Sequence, residues 1–126
     1  MRYGYSPQEM AGIYSSFDVL LHASYGEGFG VPAIEAQACG TRVIGSNWAA
    51  TPELVSDDSW LVEGQPFWDE AQQSFFMIPL IPSIVKALQE ANVNRGHSDE
   101  AVEFAAQFDA DTVWREYWQP FLKANL

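Results

Sequence analysis

The run from Ser24 to Gly40, SYGEGFGVPAIEAQACG, constrains this chain more than any other stretch. An apolar segment, Asp18 to Ala23, precedes it, and a second, Thr41 to Gly45, follows it. Between them a glycine-rich turn enters a helix, with Pro32 suited to a first-turn position and Gly40 to the stop. Strand, glycine loop, helix, strand is the unit from which parallel α/β sheets are built. Ligands of such sheets settle outside the carboxyl ends of the strands, so the loop is expected at the mouth of a site.

The loop's chemistry follows from its residue types. Gly26, Gly28 and Gly30 permit positive φ angles and close approach of a ligand to bare backbone. The helix behind them offers unpaired N–H groups and the positive end of its dipole, a seat for an anion. Glu27 stands in the loop and Glu35 about one turn into the helix, where both are expected to face the same mouth. A carboxylate accepts several hydrogen bonds and suits paired hydroxyls such as a sugar diol. Donors for phosphate with acceptors for hydroxyls describe a nucleotide-sugar site. The plainer reading makes Glu27 a solvated loop charge and Glu35 a residue that favours the helix start.

The segment EGFGVPAIEAQACGTRVIG, bounded by Glu27 and carrying Glu35, resembles the E-x7-E motif of retaining glycosyltransferases with the GT-B fold. Glycosyltransferase family 4, the glycosyl transferases group 1, is the nearest likeness. YSPQEMAGIYSSFDVLLHAS, TPELV and WLVE extend it over Tyr3 to Glu63, and the remainder matches only in its helical pattern. The resemblance implies that Glu27 binds donor-sugar hydroxyls, with the backbone from Gly28 through Phe29 and Gly30 to Val31 as further substrate contacts. It implies that Glu35 holds the nucleotide ribose. Glu53 matches an acidic position near the nucleotide and equally suits helix capping. No catalytic residue, metal ligand or cofactor is implied beyond the nucleotide-sugar donor itself.

The fold implied is α/β: a partial Rossmann-like parallel sheet with flanking helices, the C-terminal half-domain of a GT-B fold, and a helical C-terminal tail. One partial donor-binding domain is expected over residues 1–126, with the α/β motif region at 1–63 and a loop and helices at 64–126. The family's N-terminal, acceptor-binding domain has no counterpart here, nor do its donor-phosphate-clamping Arg and Lys. None of Arg2, Arg42, Lys86, Arg95, Arg115 and Lys123 matches that clamp. The expected function is the nucleotide-sugar-binding part of a retaining, hexosyl-type transferase that delivers a sugar to a hydroxyl acceptor. The chain alone is expected to be inactive, and to associate with itself or another chain through an unpaired strand edge and an aromatic last helix. One alternative is a non-catalytic binding or pairing module. Another takes Glu27 and Glu35 as the acid and base of a glycoside hydrolase, which has no use for a phosphate seat.

Bulk properties narrow the partners. The formal net charge of −11 argues against nucleic acid and against an anionic membrane surface, and sits awkwardly with an anionic donor. Cys39 is the single cysteine, so no intrachain disulfide forms and a reducing, cytoplasmic setting is expected. No signal-peptide pattern or membrane-length apolar run occurs.

Elsewhere the spacing predicts the elements. After an extended entry over Met1 to Tyr5, Ser6-Pro7-Gln8-Glu9 reads as a capping box opening a helix whose buried face is Met10, Ile13, Tyr14 and Phe17. Val19–Ala23 reads as a strand covered on both faces, with His22 near its carboxyl end either a structural or a ligand-contacting histidine. Ala49-Ala50 stands where the family commonly has a glycine pair. Thr51 is expected to cap a short helix, and Trp60–Val62 to form a strand. Gly64 to Ser74 reads as a polar loop, and Phe75–Ile78 as extended chain that Pro79 ends. Ile81, Ile84, Val85 and Leu88 mark a helix stripe, and Ser98 caps a helix with Ala101, Phe104, Ala105 and Phe108 inward. Asp109 or Asp111 starts the last helix, in which Pro120 should force a kink or an early end.

Overall fold

The structure, a computed structural model, describes residues 4–125. The Met1 to Tyr3 part of the expected extended entry lies outside the described residues. Helix α1, Pro7–Tyr14, opens with the expected box: Ser6 Oγ accepts the Glu9 amide at 3.3 Å and Glu9 Oε2 accepts the Ser6 amide at 2.7 Å. Strand β1, Leu20–His22, leads through the glycine loop into α2, Val31–Ala38, and then β2, Val43–Ser46. A 3₁₀ turn over Thr51–Glu53 precedes β3, Trp60–Val62.

The three strands form one parallel sheet in the order β1-β2-β3, with Leu20 opposite Val43 and Ile44 opposite Trp60. Successive strand residues point to opposite faces. Val43 therefore joins Tyr14, Ala33, Ala36 and Val55 beneath α1 and α2, while Ile44 joins Val62, Ala87 and Ala91 on the other side. The α/β expectation holds, with helices on both faces. The central strand β2 is wholly buried, but Leu21 and Leu61 are exposed. The expectation of a β1 covered on both faces is corrected: β1 is an edge of a narrow sheet, and its middle residue stays uncovered.

Two polar side chains tie the core together. Gln37 is buried without exposure on α2; its amide donates to the Ala33 and Leu54 carbonyls at 2.9 and 2.8 Å, and its Oε1 accepts the Ser56 amide at 2.6 Å. Asp58 accepts from Arg42 Nε and Ser56 Oγ, each at 2.7 Å, and from Ser98 Oγ. Burial of Asp58 opposes its charge, yet the Ser98, Ser56 and Arg42 hydrogen bonds and the Arg42 charge together hold its pKa below the ordinary value.

The polar loop expected over Gly64–Ser74 is instead most of a hairpin, β4 over Gly64–Asp69 and β5 over Ser74–Pro79. Two prolines hid it. The Met77 amide points away from β4, to the Tyr25 carbonyl at 2.9 Å, so Pro66 opposite Met77 forfeits no ladder bond. Pro79 opposite Gly64, two residues along, has the same character. The turn is shaped by Asp69 Oδ1, which accepts the Gln72 amide at 2.8 Å.

Helix α3 spans Ile81–Val93 and α4 spans Asp99–Ala106. The stripe expected on α3 is corrected: Ile81, Val85 and Leu88 are exposed, whereas Ala87 and Ala91 are buried with Ile84 packed beside them. Small alanines let α3 sit close against β2 and β3, and the narrow sheet leaves the larger residues uncovered. Ser98 caps α4 as expected, its Oγ accepting the Ala101 amide at 3.0 Å. Thr51 does not cap; it lies inside the 3₁₀ turn after Ala50, which has no capping side chain.

Asp109 caps α5, Ala110–Val113, which runs through a π-helical turn at Trp114–Trp118 into α6, Gln119–Asn125. Pro120 neither ends nor interrupts the run, because the π turn, with the Gln119 amide on the Trp114 carbonyl, re-registers the backbone just before it. Trp114, Tyr117, Trp118 and Phe121 remain exposed rather than forming a core within the chain. Among the described residues no helix is long and apolar enough to cross a membrane.

Replacing Gln37 with Ala strands the Leu54 carbonyl and the Ser56 amide. Each buried orphan costs about 1–3 kcal/mol, so Gln37→Ala should lower unfolding free energy by about 2–6 kcal/mol in urea titration. Asp58 contributes stability that is present above its unfolded pKa and lost as pH falls through its depressed folded value. Asp58→Asn should therefore destabilise the chain at pH 7 and flatten the acid limb of its stability profile. An unchanged acid limb would exclude Asp58 as the group responsible.

Candidate functional site

The carboxyl end of β1 opens into the glycine loop, and its three glycines are there for three different reasons. Gly30 takes φ 83°, a left-handed turn that starts α2 and that side-chain-bearing residues adopt at a cost. Gly26 makes room for a neighbour: a Cβ there would stand 3.2 Å from the ring of Phe76. Only Gly28 borders open space, with nothing within 4 Å of where its Cβ would be.

Beyond Gly28 the backbone offers donors. Pro32 has no N–H, and the Ala33 amide bonds to the Gly30 carbonyl at 3.0 Å. Among the described residues the amides of Gly28, Phe29, Gly30 and Val31 find no acceptor. Phe29 and Val31 are exposed, and the Phe29 ring meets Phe108 edge-on at 5.7 Å, pinning this half of the loop to the end of α4.

Glu27 turns back toward the strand. Its Oε1 lies 3.3 Å from His22 Nε2, an ion-pair distance when the imidazole is protonated. That nitrogen is shielded from solvent and has no hydrogen-bond partner among the described residues. Of the two readings of His22, the geometry sets it against the loop carboxylate. Glu35 takes a different direction, accepting the Tyr14 hydroxyl at 3.0 Å. Burial first, then the Glu35 hydrogen bond and charge and the nearby Cys39, push the Tyr14 phenol up to about 12. The phenol is a donor throughout the physiological range, and it fixes the Glu35 carboxylate.

Glu35 lines two open clefts. One, of about 380 Å³, is shared with Tyr5, Met10, Tyr14 and Cys39; the other, of about 480 Å³, with Ile34, Val102 and Phe108. Glu27 lines neither, so the two carboxylates occupy separate stations along α2 and its approach. Glu53 is exposed at the end of the 3₁₀ turn. Just before that turn Ala49 takes φ 53°, the left-handed conformation that a glycine at this place would adopt freely.

Three participants were not foreseen from the sequence. The Tyr14 hydrogen bond joins residues from different helices, and no local pattern announces it. Trp48 Nε1 donates to the Phe75 carbonyl at 3.3 Å, and Phe67 meets Tyr25 edge-on at 5.9 Å, so the hairpin forms one side of the site. Gln37 had a readable signal: an amide at helical spacing with Ala33 in an otherwise small, apolar face.

The chain is similar to several bacterial glycosyltransferases. It is 29% identical over 114 residues to a D-inositol 3-phosphate glycosyltransferase of Mycolicibacterium smegmatis, covering 89% of this chain and 24% of that protein. The Mycobacterium ulcerans protein of that name is 32% identical over the same length and shares. An O-antigen chain mannosyltransferase B of Escherichia coli is 41% identical over 55 residues, 43% of this chain and 14% of its own length. The chain thus spans about a quarter or less of these relatives. A family model described as glycosyl transferases group 1 matches residues 2–73, the stretch holding α1, the glycine loop, α2 and the parallel sheet, and the chain belongs to that family.

Proposed function

We propose that this chain is the nucleotide-sugar-binding part of a retaining glycosyltransferase, a partial donor-binding domain of a protein that transfers a hexosyl group to a hydroxyl acceptor. The observation that carries the reading is the row of free amides from Gly28 to Val31 at the mouth of the parallel sheet, with Glu27 before it and Glu35 behind it. Amides at a helix start suit phosphate oxygens, and carboxylates suit sugar and ribose hydroxyls. Glu27 then grips the transferred sugar, and Glu35, held by Tyr14, takes the ribose. Glu53 stands as a further contact on the nucleotide side. Family membership supports glycosyl transfer by the parent protein; the donor, the retained configuration and the cytoplasmic setting are part of this proposal.

A second reading, a non-catalytic binding module, has its own observation. Arg42 is engaged by Asp58 and by the carbonyls of Asn94 and Gly96, and Lys86 and Arg115 stand near Glu90 and Glu116. Among the described residues no lysine or arginine hydrogen-bonds or ion-pairs with the glycine loop to neutralise a diphosphate, and His22 beside it pairs with Glu27. Neutralisation therefore falls to residues beyond those described, or the loop binds without turnover. Nucleoside diphosphate titration combined with a transfer assay separates the two readings.

In a transfer-competent protein carrying this chain, Glu35→Ala should weaken nucleoside diphosphate binding by roughly tenfold or more. Hydrogen bonds to a charged acceptor contribute on the order of 1.5–3 kcal/mol each. Glu27→Ala should leave that affinity nearly unchanged while transfer falls sharply, since its partner is the sugar. Equal losses of nucleotide affinity in both variants would sink this division of roles.

A further inference from the structure

We infer that the β4–β5 hairpin is a positioning clamp on the glycine loop, and that Phe76, seated against the bare backbone of Gly26, sets where Glu27 stands. The inference rests on the sugar-side role proposed for Glu27, but its geometric half is independent of it.

The hairpin is joined to the exit of every strand in the parallel sheet. At β1 the Met77 amide bonds to the Tyr25 carbonyl at 2.9 Å, using the outward edge of β5 as a further strand would. At β2 the Trp48 indole bonds to the Phe75 carbonyl at 3.3 Å, and Asn47 Nδ2 to Glu63 Oε1 at 2.9 Å. At β3 the chain passes directly through Glu63 into β4, and the Leu80 amide returns to the Glu63 carbonyl at 2.9 Å, closing the hairpin's base. The side chains repeat the pattern: Phe67 meets Tyr25 edge-on at 5.9 Å and Phe76 at 6.0 Å, and the Phe76 ring fills the space a side chain at position 26 would need.

These contacts fall on one half of the loop. Tyr25 and Gly26 are gripped by the hairpin, Phe29 is pinned separately by Phe108, and a side chain at Gly28 between them would meet nothing within 4 Å. Glu27 is the residue next to the gripped pair. Its position beside His22 is thus set by a segment almost fifty residues away in sequence. The hairpin does not reach Glu35, whose partner is Tyr14 on α1. A clamp of this design acts on the sugar end of the site and leaves the ribose end alone. Phe76 is a positioning residue; it acts through the loop.

Amide hydrogen exchange in this chain reads the geometric half directly. Phe76→Ala should speed exchange of the Met77 amide, donated to the Tyr25 carbonyl at 2.9 Å, by about tenfold or more while leaving Ala36 and Gln37 in α2 protected as before. Phe76→Leu, which keeps most of the bulk, should restore most of the protection, and guards against a truncation that unfolds the chain. Gly26→Ala puts a Cβ 3.2 Å from the Phe76 ring, which needs to give by only a few tenths of an ångström, so its effect on Met77 exchange should be smaller than that of Phe76→Ala. Unchanged Met77 exchange in Phe76→Ala would overturn the clamp. In a transfer-competent protein carrying the chain, Phe76→Ala should lower kcat/KM for donor at least tenfold with nucleoside diphosphate affinity within about twofold, and Phe76→Leu should recover it. A parallel loss of nucleotide affinity would also overturn it. Should Glu27→Ala leave transfer intact, the sugar-side reading fails, while the exchange result still decides the clamp.

Discussion

Everything at the mouth of this sheet depends on where α2 lies, and Gln37 fixes it. One fully buried amide satisfies the Leu54 carbonyl and the Ser56 amide, backbone groups of an irregular segment that has no sheet or helix to pair with. Without that partner the segment would either carry unpaired polar groups into the core or swing away from α2. With it, the helix, the loop after the 3₁₀ turn and the central strand form one body. The start of α2, and so the row of free amides before it, inherits that rigidity.

Asp58 extends the same body to the C-terminal helices. Its carboxylate joins Arg42 at the head of β2 to Ser98 at the cap of α4, and Arg42 reaches on to the carbonyls of Asn94 and Gly96 after α3. Three sequence-distant segments meet at one charge. The desolvation this charge suffers is outweighed by its hydrogen bonds, which is why it stays ionised and why acid is its weakness. Phe108 at the end of α4 then supports Phe29, so the outer half of the glycine loop rests indirectly on this network.

The loop itself illustrates how a glycine-rich motif divides its labour. One glycine supplies a backbone angle, one supplies room for an aromatic ring, and one is left facing open space. Each kind of glycine is interchangeable in a sequence pattern, and only the packing distinguishes them. The hairpin beside the loop shows the same limit from the other direction. Its prolines at 66 and 79 argue against a strand by residue type, yet both stand where the ladder needs no donor. Pairing register, a tertiary quantity, decides whether a proline is tolerated.

Apart from the Thr51 cap, local chemistry was readable where it is short-ranged. The capping box at Ser6 and Glu9, the caps at Ser98 and Asp109, the alternation of apolar strands with the glycine loop and the order of the parallel unit all follow from residues within a few positions of one another. So did the loop's place at the sheet's carboxyl edge, which strand, loop and helix fix. What tertiary structure alone decided was direction and company. Glu35 turns to Tyr14 because helices remote in sequence bring that partner within reach, and Glu27 folds back onto His22 at the end of the strand just before it. Ala87 and Ala91, not the larger Ile81, Val85 and Leu88, face the core because a three-stranded sheet is too narrow to cover a full helix face. Periodicity names a face; the width of what it packs against determines which residues on it are buried.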